Sequence, residues 1–144
     1  MKLRVLIAVD GSAYSRRATE HVLRLADAQC LIDLHLLTVQ MPLETGHIRQ
    51  FIPRDQLEAH YRDSGLAALQ EVVSLLDQRG QQHTAHIAVG HIAETITRYA
   101  NEMNFELIVI GTHGRTGLRH VAMGSVAQEV LKRATVPVTV VHDR

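Results

Sequence analysis

Apolar positions along the chain alternate between a short, nearly continuous run and a 3.6-residue stripe, and that alternation predicts the elements. Residues 3–9 form a run rich in branched side chains, closed by Asp10-Gly11-Ser12, and read as a buried strand. Ala18, Val22, Leu25 and Ala26 then recur at helical spacing, with His21 and Arg24 on other faces. Residues 32–39 predict a second strand, interrupted by His35. A polar connection from Met41-Pro42 leads to Pro53, expected in the first turn of a long helix. Its stripe is Leu57, Tyr61, Leu69, Val72, Val73 and Leu76, and Gly80 ends it. Residues 83–89 predict a third strand, and Ile92, Ile96, Tyr99 and Met103 a third helix. Residues 107–110 are a fully apolar fourth strand, and Val126, Val130 and Leu131 begin a last helix. A fifth strand runs from Val136 to Val141, with Pro137 near its start.

Strict alternation of strands and helices, with strands apolar on both faces, implies an α/β fold in which helices cover both faces of a parallel sheet. Right-handed crossovers make such a sheet doubly wound, and ligands then bind beyond the carboxyl ends of its strands, at the switch point. Two loops are placed for that: Asp10-Gly11-Ser12 after the first strand, and residues 111–125 after the fourth.

Composition narrows the function classes. A length of 144 residues fits one domain, expected over residues 1–144, and 46% hydrophobic residues supply a core. Fifteen basic and fifteen acidic residues cancel, which excludes a general nucleic-acid binder. Aromatics make up 3% with no Trp, too few for base-stacking platforms. Cys30 is the one cysteine, so no intramolecular disulfide can form. No stretch is long enough to insert in a membrane, and the amino-terminal apolar run is too short for export. A cytoplasmic protein is expected.

The segment after the fourth strand carries the chemistry. It reads Gly111-Thr112-His113-Gly114-Arg115-Thr116-Gly117-Leu118-Arg119-His120, then Val121-Ala122-Met123-Gly124-Ser125-Val126. It is neither a Walker A loop nor a dinucleotide-binding fingerprint. Glycine nevertheless lets backbone approach a phosphate closely. Gly124-Ser125 precedes a helical stripe, with Ser125 expected as the N-cap, and a helix N-terminus favours an anion. Arg115 and Arg119 add cationic reach, and residues 107–128 contain no Asp or Glu. This is the composition of an anion site.

The spacing Gly111-x2-Gly114-x9-Gly124-Ser125 resembles the ATP-binding signature of the universal stress protein family. Val9-Asp10-Gly11-Ser12, residues 107–115, Gly124-Ser125-Val126-Ala127 and Val136-Pro137-Val138-Thr139-Val140-Val141 resemble further family segments, so the likeness covers nearly the whole chain. Glu106 and His91 depart from family habit, outside the signature. The resemblance implies a five-stranded parallel sheet of order 3-2-1-4-5, of the adenine nucleotide alpha hydrolase-like type, with ATP at the switch point. It implies Ala8, Val39 and Ile110 near adenine, and Asp10 near the ribose or a phosphate-bound metal. Gly111, Gly114, Arg115, Gly117, Gly124, Ser125 and Val126 would line ribose and phosphates. It also implies a homodimer through the last strand, whose apolar, β-branched edge invites pairing.

Asp10 suits Mg²⁺ borne by a nucleotide, since one carboxylate commonly suffices there. It equally suits a cap or turn for the following helix. His83, His86 and His91 have no ligand spacing with Cys or carboxylates, and no metal site is expected among them. No dedicated catalytic base stands out, so efficient turnover is not expected. The expected function is a dimeric, ATP-occupied switch or adaptor in stress response. A slow adenine-nucleotide hydrolase or self-phosphorylating enzyme is the alternative, and an interaction module without nucleotide is a second.

Overall fold

The computed structural model of the chain describes residues 1–43, 52–114 and 123–142. Five strands, β1 (Leu3–Ala8), β2 (Ile32–Gln40), β3 (Thr84–Val89), β4 (Leu107–Gly111) and β5 (Val138–Val141), form one sheet in the order β3-β2-β1-β4-β5. Every pairing is parallel, as the alternating pattern predicted. Among the described residues the helices are α1 (Ala13–Asp27), α2 (Arg54–Gln78), α3 (Ile92–Glu102) and α4 (Ser125–Arg133).

Successive strand residues point to opposite faces, so each central strand must be apolar on both. Val5 and Ile7 join Leu34, Leu36 and Val109 beneath α1 and α2, where Ala18, Val22, Leu69, Val72 and Leu76 complete one core. Leu6, Leu37, Ile108 and Ile110 point the other way, against Ile96 and Ala100 of α3 and Val130 of α4. Register sets β1 beside both neighbours, with Ile7 opposite Leu36 on β2 and Val109 on β4.

Boundaries shift where backbone hydrogen bonding overrides the apolar pattern. Pro53 caps α2 instead of entering its first turn, and Gly80, at φ +66°, follows the end of the helix. Only the second half of α2 reaches the core; Leu57 and Tyr61 remain half-buried. Its Gly65 lies so close to β3 that a Cβ there would stand 2.6 Å from Ile87. His83 falls outside β3, its Nδ1 bonded to the Gln81 carbonyl. The fifth strand is shorter than the apolar run, because Pro137 has no N–H for a ladder. Its carbonyl still accepts from the Ile108 N–H at 3.0 Å.

Leu36, fully buried between β1 and the α1–α2 layer, tests this core. Leu36→Ala is expected to lower unfolding free energy by about 3 kcal/mol. Urea denaturation followed by far-ultraviolet circular dichroism checks it.

Candidate functional site

Strand order reverses between β1 and β4, and there the carboxyl ends of the strands part around a cavity of about 690 Å³. That volume suits a small-molecule ligand. Its apolar side is made by Ala8, Val39 and Ile110 at the ends of three adjacent strands, with Ile92 and Ile96 from α3. Its polar side is made by Asp10, residues 111–114 and residues 123–126, with Gln128 from α4. Ala8, Asp10, Val39, Ile110, Gly111, Gly114, Gly124, Ser125 and Val126, singled out in the sequence, therefore meet at one cavity. Arg115 and Gly117 lie outside the described residues.

Each polar element is held by local chemistry. Asp10 Oδ1 accepts from the Ser12 N–H at 2.9 Å and from Ser15 Oγ at 3.2 Å, which makes it the turn residue before α1. Ser12 caps α1, its Oγ accepting from the Ser15 N–H at 3.3 Å. Gly11 stands at φ +86° between them, in the left-handed region that favours glycine. A carboxylate at this helix N-terminus complements the helix dipole. The second oxygen, Oδ2, faces Gly114, where a Cβ would stand 2.7 Å from it.

Thr112 joins the other elements. It is buried, its N–H donates to the Val141 carbonyl at 3.0 Å, and its carbonyl accepts from the Gly124 N–H at 2.6 Å. The end of β4, the end of β5 and the start of α4 thus converge on one residue. This arrangement corrects the expected cap: Gly124, extended at φ −71° and ψ 164°, is the N-cap, and Ser125 is the first helical residue. A Cβ at Gly124 would press to 3.1 Å from the Thr112 carbonyl, so a serine is displaced one position along. Gly124 brings no side chain to the first-turn N–H groups of α4, which border the cavity.

Gly111 has a packing reason too. A Cβ there would stand 2.9 Å from the Tyr14 carbonyl oxygen, so its absence lets α1 close on β4. His113 of the glycine segment lines the cavity too, and sequence reasoning missed Thr38, Gln40, Met41, Thr112 and Met123, which also line it. The available signal was position alone: they stand at strand ends or beside the glycines. His113 packs edge-on against Tyr14, with ring centres 5.2 Å apart.

A second cavity, of about 630 Å³, opens at the amino ends of β2 and β3, beside Lys2, Asp33, Asp77 and residues 80–84. It contains two carboxylates and adjoins the carboxyl end of α2, which repels an anion. The carboxyl-end cavity is therefore the candidate site. Among the described residues no three His, Cys, Asp or Glu side chains are grouped to hold a metal ion by themselves. Asp10, with Oδ2 uncommitted to α1, fits a cation whose other ligands come with a nucleotide.

The family model described as Universal stress protein family matches residues 1–142. Universal stress protein YxiE of Bacillus subtilis is 30% identical over 147 residues, covering 96% of this chain and 98% of that protein. The solved structure of MJ0577, from Methanocaldococcus jannaschii, superposes with a TM-score of 0.83 at 25% identity, covering 100% of this chain and 98% of that one. A family protein of Arabidopsis thaliana, solved with AMP bound, superposes with a TM-score of 0.70 at 19% identity, covering 99% and 92%.

Two substitutions separate packing from capping. Gly111→Ala is expected to cost about 1–3 kcal/mol by forcing α1 from β4. Ser125→Ala, which removes no cap, is expected to stay within about 0.5 kcal/mol. Chemical denaturation of both proteins measures the difference.

Proposed function

Because the chain belongs to the universal stress protein family, we propose that it binds ATP in the carboxyl-end cavity and acts as a dimeric, nucleotide-dependent switch or adaptor in stress response. The observation that carries this reading is the meeting of the Asp10 carboxylate, the glycine backbone of residues 111–114 and the α4 N-terminus around one apolar slot. Adenine is assigned to the slot formed by Ala8, Val39 and Ile110, which offers an aliphatic bed for a flat ring. Ribose and phosphates are assigned to Gly111, Gly114, Gly124, Ser125 and Val126, with Arg115 and Gly117 from the signature. The backbone N–H groups and helix dipole of α4 favour negative charge there. Asp10 would hold Mg²⁺ carried by the phosphates, and that ion would neutralise charge along the chain of phosphates. AMP in the Arabidopsis protein supports an adenine nucleotide as the ligand class.

We further propose that residues 1–144 work as one cytoplasmic domain that pairs through β5. Among the described residues, no helix is long and apolar enough to cross a membrane. β5 ends the strand order. The Pro137 and Val141 carbonyls accept from β4 and its loop, so alternation turns the backbone groups of Val138 and Val140 toward the open edge.

Purified protein, denatured and chromatographed, is expected to release adenine nucleotide, and titration calorimetry with MgATP to show binding. Asp10→Asn, which keeps an acceptor for the α1 turn, is expected to weaken MgATP binding about tenfold, or ~1.4 kcal/mol. No binding of ATP, ADP or AMP at millimolar concentration would overturn the reading. For the dimer, light scattering is expected to give twice the chain mass for the native protein. Val140→Pro, which removes one outward N–H, is expected to shift the particle to the monomer mass.

A further inference from the structure

On the α3 side of the sheet, away from the cavity, a polar ladder interrupts the core. Arg4 on β1 pairs with Asp33 on β2, its partner in register. Asp33 Oδ1 lies 3.2 Å from His35 Nε2, and His35 Nδ1 lies 2.9 Å from His86 Nε2 on β3. The two imidazoles are parallel to within 7°, with centres 5.1 Å apart. His35 is buried. A lid of three residues from the end of α3 and the turn after it closes over them. Tyr99 meets His86 edge-on at 5.8 Å, Phe105 meets His35 edge-on at 4.9 Å, and the Met103 carbonyl accepts from Arg4 at 2.9 Å. The Arg4 guanidinium also lies over the Phe105 ring, 4.7 Å from its centre.

Hydrogen arithmetic limits what this ladder can accept. An ionised Asp33 only accepts, so His35 Nε2 carries a hydrogen. Nδ1 of neutral His35 is then bare and accepts from Nε2–H of His86. One added proton is accommodated: it enters at His86 Nδ1 while the shared hydrogen passes to His35, leaving an imidazolium beside Asp33. A second proton places hydrogens on both facing nitrogens, and the rings must separate. We propose that the His35–His86 pair is a pH-sensitive clasp, closed at neutral pH, that seats the carboxyl-terminal end of α3 and releases it when doubly protonated.

Among the described residues, the surrounding charges offer the second proton no new partner. From β1 comes Arg4, and from β2 comes Asp33, already shared between Arg4 and His35. From α3 comes Tyr99, while Arg98 and Glu102 of that helix face each other. Before β4, the Glu106 carboxylate accepts from the Arg4 backbone N–H. Burial, and then the His35 charge, holds the His86 imidazole below its ordinary value of 6.5. The unfolded chain therefore binds the proton more readily. The stability contributed by His86 is present above about pH 6.5 and is lost as pH falls toward the folded-state value. The other end of α3 supplies Ile92 and Ile96 to the carboxyl-end cavity, so the clasp seats an element of that site.

The test compares native protein with His86→Gln, which keeps a donor toward His35 but does not titrate. Thermal unfolding midpoints are measured from about pH 7.5 to about pH 5.5. The native midpoint is expected to fall further than that of the variant, and amide exchange at Tyr99–Met103 to accelerate at the acid end in the native protein alone. Independently of any variant, the ring proton of His86 in native protein is expected to titrate below the ordinary imidazole value. Equal falls in both midpoints, or His86 titrating at the ordinary value, would overturn the clasp.

Discussion

Parallel strands cannot be joined by a tight turn, and the rest of this molecule follows from that constraint. Each strand but the last is followed by a segment that crosses back over one face of the sheet, so every carboxyl end emerges along the same edge. Because the order reverses at β1 and β4, the following helices leave on opposite faces, α1 on one and α4 on the other. The space between them is the cavity. No residue has to create it; residues only have to line it.

What lines it is set by close backbone approach. Gly111 lets α1 reach β4, Gly114 accommodates the Asp10 carboxylate, and Gly124 fits against the Thr112 carbonyl. The signature glycines thus serve the protein's own packing before any ligand enters. This explains how a chain of zero net charge presents an anion-favouring surface. The positive character comes from oriented N–H groups and a helix terminus, which formal charge does not count.

The same sheet tolerates polar groups on its α3 face because they satisfy one another. His35 sits in the buried middle of β2, yet Asp33, His86 and Phe105 surround it with partners. His86 and Phe105 are far from His35 in the sequence; the sheet sets His86 diagonally beside His35 on the same face, since register pairs His35 with Thr84 and Leu37 with His86.

Among the described residues, the five strands, four helices and their order were legible in the chain, because hydrophobic period is a local property that survives folding. Much of the cavity lining was legible for a related reason: the Asp10 turn and the glycine spacing are short-range patterns at strand ends. Element ends were less so. Ser125 has the right chemistry for a cap, but the close contact of residue 124 with Thr112 moved the cap to Gly124. Pro137 and His83 belong to apolar or alternating runs, yet lie just outside the bounds of β5 and β3. Thr38, Gln40 and Met41 carry no motif and enter the site only because β2 ends where it does. The sequence by itself determined which segments are strands and helices, because that depends on neighbours a few residues away. The tertiary structure decided which distant backbones touch, since contacts between Gly111 and Tyr14, or His35 and His86, exist only once the sheet has aligned them.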